Sequence, residues 1–162
     1  MTIKIDDNMP SGSFTIMVNG QPEALQSNDL FANNTVALFA VPGAFTPGCS
    51  NKHLPGYLEN LNELKSKNID KIACIAVNDI FVMDAWAKKY GVNDEIIMLA
   101  DGNCDYTRLL GLENDSSAFG MGYRSKRYVL IAKNGIIKTL LIDNPGDIEL
   151  STAESLLSSL GS

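Results

Sequence analysis

Cys49 ends the stretch Pro42-Gly43-Ala44-Phe45-Thr46-Pro47-Gly48-Cys49, where an apolar run stops and a helical pattern begins. A thiol at such a junction is placed for nucleophilic chemistry. Thr46 followed by Pro47 predicts an N-cap with proline at the first helical position, which puts Cys49 in the first turn. Free amide donors and the positive end of the helix dipole would then face the sulfur, and both favour a thiolate over a thiol. His53 lies four residues further on, on the same helix face, the spacing a Cys-His dyad would use. No hydrolase signature accompanies it. His53 is also the only histidine, and the cysteines at 49, 74 and 104 are scattered, so no metal site is expected. Asp101-Gly102-Asn103-Cys104-Asp105 imitates the start of a calcium loop, but Tyr106 replaces the required glycine and Leu112 the closing glutamate. It reads as a turn. A cationic run, Arg124-Ser125-Lys126-Arg127, offers three equal candidates for an anion-stabilising group.

The elements that must carry these residues follow from periodicity. Thr35 to Val41 is apolar without alternation, as is Lys71 to Val77, and both read as strands buried on two faces. Pro42 ends the first. Ser13 to Val18 and Glu23 to Gln26 form a hairpin around Asn19-Gly20, with a short helix at Asn28 to Phe31. Tyr57, Leu58, Leu61 and Leu64 recur at helical spacing after Cys49, and Pro55 inside that pattern predicts a kinked, loosened helix. Phe81 to Tyr90 reads as a helix with Phe81, Ala85 and Trp86 on one side; Ile96 to Leu99 is a strand, and Tyr106 to Leu110 a helix closed by Gly111. Arg127 to Ala132 turns at Asn134-Gly135 into Ile136 to Ile142. Ser151 to Leu160 reads as a closing helix, with Ser151 as cap, Glu154 as its capping-box partner and Leu156, Leu157 and Leu160 facing inward. Parallel β-α units followed by an antiparallel hairpin and a helix predict an α/β fold with a mixed central sheet flanked by helices, thioredoxin-like in architecture.

The 162 residues are expected to form a single domain over 1–162, since no Pro/Ser-rich linker divides them. Thirteen Lys and Arg against nineteen Asp and Glu leave a formal charge of -6, which argues against nucleic acid or an anionic membrane surface as partner. No apolar run is long enough to cross a membrane and no secretory start is visible, so a cytoplasmic protein is expected. Three cysteines, an odd number without a C-x-x-C, suit thiol chemistry in a reducing compartment better than a disulfide framework.

Pro42, Thr46 and Cys49 match the P-x-x-x-T-x-x-C signature of peroxiredoxins, and PGAFTPGCSNKHLPGY, IAVNDIFVMDAWAKKYG and RSKRYVLIAKNG together resemble the peroxiredoxin-5, or type II (atypical), subfamily. The resemblance runs over nearly all of residues 1 to 160. It implies a thioredoxin-like fold and a peroxidase without a prosthetic group. Cys49 would be the peroxidatic cysteine, attacking hydrogen peroxide or an organic hydroperoxide to become a sulfenic acid. Thr46 would orient peroxide and sulfur, Pro42 would shield the sulfur from water, and Arg127 would hold thiolate and peroxide oxygens with its fork, supported by Arg124. The family carries a histidine at the place of His53 that helps structure the pocket. Cys74 matches the second cysteine of plant-like and bacterial members and is the resolving candidate; mid-strand, it equally reads as a buried structural thiol. Cys104 is incidental. If neither resolves, glutathione and glutaredoxin, or thioredoxin, would reduce the sulfenic acid. The family further implies a homodimer. A different class of function remains open: a thiol redox sensor or binding module that relays oxidation to a partner without rapid turnover.

Overall fold

The computed structural model describes residues 1–161. Seven strands form one sheet in the order β2-β1-β5-β4-β3-β8-β9. They are β1 (Ser13–Val18), β2 (Gln21–Gln26), β3 (Thr35–Ala40), β4 (Lys71–Ala76), β5 (Ile97–Ala100), β8 (Tyr128–Lys133) and β9 (Ile136–Ile142). β3, β4 and β5 run parallel at the centre, and antiparallel hairpins flank them. Both hairpin turns place Asn and Gly at positive φ, Asn19-Gly20 at 50° and 80° and Asn134-Gly135 at 49° and 77°, which matches the twist of the paired strands. A second ribbon, β6 (Glu113–Asp115) with β7 (Tyr123–Ser125), is too short and too polar to leave a periodic signal.

The continuous apolar runs are explained by burial on both sides. Ala37, Phe39, Ile72, Cys74 and Ala76 face one layer of helices; Val36, Leu38, Ala40, Ala73 and Ile75 face the other. The first layer holds α2 (Leu54–Glu59), α3 (Leu61–Ser66), α4 (Ile80–Lys89) and α6 (Ala153–Leu160). α1 (Ser27–Phe31) and α5 (Asp105–Leu110) cover the second.

Several local expectations are corrected. The helix through Leu64 is broken at Asn60, whose Nδ2 donates to the Gly56 carbonyl at 2.7 Å and so occupies the acceptor its own backbone amide would use. α4 buries Ile80, Met83, Trp86 and Ala87, leaving Phe81 and Ala85 exposed; the buried face is rotated from the predicted one because Met83 and Ala87 lie on the Trp86 side. α6 is capped by Thr152, which accepts from Ser155 N at 3.2 Å, while the Ser151 hydroxyl turns inward to Asp143. Arg127 precedes β8 and does not belong to it.

Candidate active site

The chemistry gathers at the carboxyl end of β3. The chain leaves β3 through Val41 and Pro42, and Ala44 N donates to Asn78 Oδ1 at 2.9 Å, which ties the loop to the segment after β4. Thr46 O accepts the first helical hydrogen bond, from Ser50 N at 2.9 Å. Its hydroxyl does not cap the helix as predicted; it donates back to Gly43 O at 2.7 Å, so its lone pairs remain free for an incoming donor.

Cys49–His53 is a π-helical turn in place of the expected kinked α-helix, with Leu54 N donating to Cys49 O five residues back. The ring of a helical proline clashes with the carbonyl four residues before it, here Asn51, and widening the preceding turn is how the chain accommodates Pro55 near the start of α2. The widened turn directs both Cys49 and His53 inward, and both are buried.

Among the described residues, the hydrogen bond on the sulfur comes from a side chain and not from the turn amides. Arg127 Nη2 donates to Cys49 Sγ at 3.1 Å. Register explains why Arg127, of the three cations, reaches it. Ala40 of β3 pairs with Tyr128 of β8, so the residue before Tyr128 stands beside the Pro42-to-Cys49 loop. Arg124 instead donates through Nε to Met121 O at 2.9 Å and lies against Gly43, where an added Cβ would meet Nη1 at 3.1 Å. Lys126 and Arg127 line a cleft of about 630 Å³, together with Pro42, Thr46 and Gly48. Gly48 lies close against Ile148: a Cβ there would come within 2.5 Å of Ile148 Cδ1, so that side chain would have to shift.

His53 does not form a dyad with Cys49. Its Nδ1 lies 2.8 Å from Arg127 Nη1 and its Nε2 3.0 Å from Ser151 O. An arginine only donates and a carbonyl only accepts, so the ring is neutral with its proton on Nε2. Burial, reinforced by the Arg127 charge, lowers its pKa from 6.5 to about 4. The unfolded chain therefore takes up this proton first as pH falls. The stability contribution is complete above pH 6.5 and is lost as pH drops towards 4, a total of about 3 kcal/mol. Urea unfolding at about pH 7 and about pH 4.5 should show wild type losing about 2 kcal/mol more than His53→Gln; equal losses would contradict a neutral buried imidazole.

Three contributors were missed in the sequence. Tyr57 Oη donates to the same Ser151 carbonyl at 2.6 Å and stacks on Phe39 with centroids 3.9 Å apart. The Ser151 carbonyl is a backbone group and has no sequence signature. Asp143 accepts from Glu149 N, Leu150 N, Ser151 N and Ser151 Oγ at 3.1, 2.7, 3.1 and 2.5 Å. Burial alone would raise its pKa, but these donors outweigh it and hold the carboxyl below its ordinary value.

Cys74 lies mid-β4 between Phe39 and Met98, on the sheet face that also packs Cys49. Burial pushes its thiol well above the ordinary value. Cys104 is buried at the turn before α5 and takes a left-handed backbone with φ 65°. The neighbouring Asp101 binds Tyr106 N, Thr107 N and Thr107 Oγ1, which makes the calcium-like stretch a turn. No group of three His, Cys, Asp or Glu among the described residues is arranged to hold a metal ion.

A family model described as Redoxin matches residues 4–157. Peroxiredoxin-2E, chloroplastic, of Arabidopsis thaliana is 43% identical over 98% of this chain and 70% of its own length. A crystal structure of reduced Prx3 in complex with hydrogen peroxide, from Vibrio vulnificus, superposes with a TM-score of 0.94 at 43% identity, covering 98% of this chain and 99% of that one. The Plasmodium falciparum antioxidant protein, a 1-Cys peroxiredoxin, gives 0.92 at 32% identity, covering 98% of both chains.

Proposed function

The chain belongs to the peroxiredoxin family, in its type II branch, with a thioredoxin-like fold and thiol-dependent peroxidase activity, and we propose that Cys49 is its peroxidatic residue. The observation that carries this is the Arg127 fork, which donates one arm to a fully buried Cys49 Sγ and the other to neutral His53.

The Cys49 thiolate attacks one peroxide oxygen and the O–O bond breaks. Sulfur is oxidised to the sulfenic acid, and the departing oxygen leaves as water or an alcohol once protonated. Thiolate stabilisation alone contributes little speed, because nucleophilicity falls as the thiol becomes more acidic. The barrier is lowered chiefly by donors aimed at the separating oxygens, and Arg127 supplies a fixed, always-charged fork. Thr46, its own proton committed to Gly43, accepts from the peroxide and fixes its orientation. Pro42, which lines the cleft, keeps water from the sulfur. No prosthetic group enters this scheme.

For the return to thiol we propose a one-cysteine cycle. Glutathione condenses with the sulfenic acid, releasing water and forming a mixed disulfide, and glutaredoxin reduces it; thioredoxin is the alternative reductant. Cys74 supports this reading by its burial mid-strand and raised thiol pKa, which make it a poor attacking group. A cytoplasmic site of action and a homodimer complete the proposal; Phe45 beside Thr46 and Phe119 at the cleft are exposed aromatics available to a second copy.

The test is one equivalent of hydrogen peroxide on reduced protein, followed by intact and peptide masses with a sulfenic-acid trap. A trapped adduct on Cys49 is expected, unchanged in Cys74→Ser. A Cys49 to Cys74 disulfide would replace the one-cysteine cycle with an internal one. Slow oxidation of Cys49 without turnover would favour a redox sensor.

A further inference from the structure

We infer that Asp143 is a positioning residue for the peroxidatic reaction, acting on Arg127 through the Ser151 carbonyl and His53. The inference rests on the assignment of Cys49 and Arg127 above. The path is continuous. Both carboxylate oxygens of Asp143 are used, Oδ1 by Glu149 N and Leu150 N, Oδ2 by Ser151 N and Ser151 Oγ. These bonds fold the segment after β9 back on itself and fix the Ser151 peptide. Its carbonyl, buried, accepts from His53 Nε2 and Tyr57 Oη. That contact selects the His53 tautomer whose Nδ1 can accept from Arg127 Nη1, and Nη2 of the same guanidinium donates to Sγ.

A second connection returns to the same arginine. Asp143 N donates to Arg127 O at 2.9 Å, so one residue holds both the backbone of Arg127 and, through three steps, its guanidinium. Tyr128 pairs with Ile142 in the β8–β9 hairpin, which sets Arg127 and Asp143 side by side beyond its end. A guanidinium on a four-bond stem has many rotamers; clamping it at both ends selects the one that points at sulfur.

An ordinary loop-capping carboxylate would stabilise the fold without changing the ratio of peroxide reactivity to general thiol reactivity. Asp143 should change that ratio. Asp143→Asn keeps the shape but cannot accept all four donors, so the Ser151 peptide shifts and the fork is misplaced. The measurements are the second-order rate of Cys49 oxidation by hydrogen peroxide in stopped flow, the rate of Cys49 alkylation by iodoacetamide, and both again in an Arg127→Gln background.

The peroxide rate is expected to fall about 10- to 100-fold, with alkylation changed by no more than about threefold. Residues acting through one group are strongly non-additive, so Asp143→Asn should cost nothing further once Arg127 is glutamine. A wild-type peroxide rate in Asp143→Asn, or the same fold-loss in both backgrounds, would overturn the inference. Should Asp143→Asn fail to fold, Ser151→Ala removes only the hydroxyl contact to Oδ2, and the same two outcomes decide. Fast oxidation of wild-type Cys49 in the same experiment keeps the peroxidase assignment separate from the fate of Asp143.

Discussion

Cys49→Ser is expected to remove peroxide consumption to the uncatalysed level while leaving the fold intact. The reaction needs an anionic nucleophile that can take an oxygen atom and later give it up to a thiol. A serine hydroxyl is too weakly acidic for the first step, and oxygen has no accessible sulfenic-like state for the second. The substitution is nearly isosteric. Cys49 is fully buried among apolar groups, but Arg127 Nη2 already stands within hydrogen-bond distance and can serve a hydroxyl oxygen as it serves Sγ. Thermal unfolding should therefore change by no more than a few degrees, about 1 kcal/mol for a chain of this size. Peroxide loss monitored with excess reductant checks the prediction. Turnover persisting in Cys49→Ser would move the reaction to another thiol; all three cysteines are buried, and Cys49 differs from the others in receiving the Arg127 donor.

Arg127→Gln is expected to slow Cys49 oxidation by about 100- to 1,000-fold, the usual cost of removing one preorganised donor from a transition state that develops charge. Glutamine is shorter and neutral, and its amide cannot reach Sγ and His53 Nδ1 together as the guanidinium fork does. Alkylation by iodoacetamide, whose leaving group is iodide and which has no separating oxygens to stabilise, should fall much less. A near-wild-type peroxide rate would remove Arg127 from the mechanism. The same variant carries a second, independent signature. The Arg127 charge is the second cause, after burial, of the depressed His53 pKa. Without it, the imidazole titration followed by NMR should move up from about 4, yet stay below 6.5 because burial persists.

Local signals in this sequence are strong where a residue's neighbours in the chain are also its neighbours in space. The unbroken apolar runs at Thr35 and Lys71 announce strands covered on both faces, and the Asn-Gly pairs announce two hairpins. Proline 42, Thr46 and Pro47 announce a strand ending and a helix starting just before Cys49. The α/β order and the position of the thiol were therefore legible without coordinates. So was the family, because its motif is contiguous.

Only the tertiary structure decided what the thiol touches. Arg124, Lys126 and Arg127 are equivalent as text, and the pairing of Ala40 with Tyr128 alone sets Arg127 beside the sulfur. The Thr46 hydroxyl turned from capping to Gly43, Ser151 yielded its cap to Thr152, and α4 presented Met83 in place of Phe81 to the core. Each choice was settled by competition among partners distant in the chain. The His53 anchor is the clearest case, since its partner is a backbone carbonyl 98 residues away. Any residue type carries such a carbonyl, so its use is written in strand register and loop geometry, not in side-chain identity. The residues determine which groups can react; the register of β3, β8 and β9 determines which of them meet.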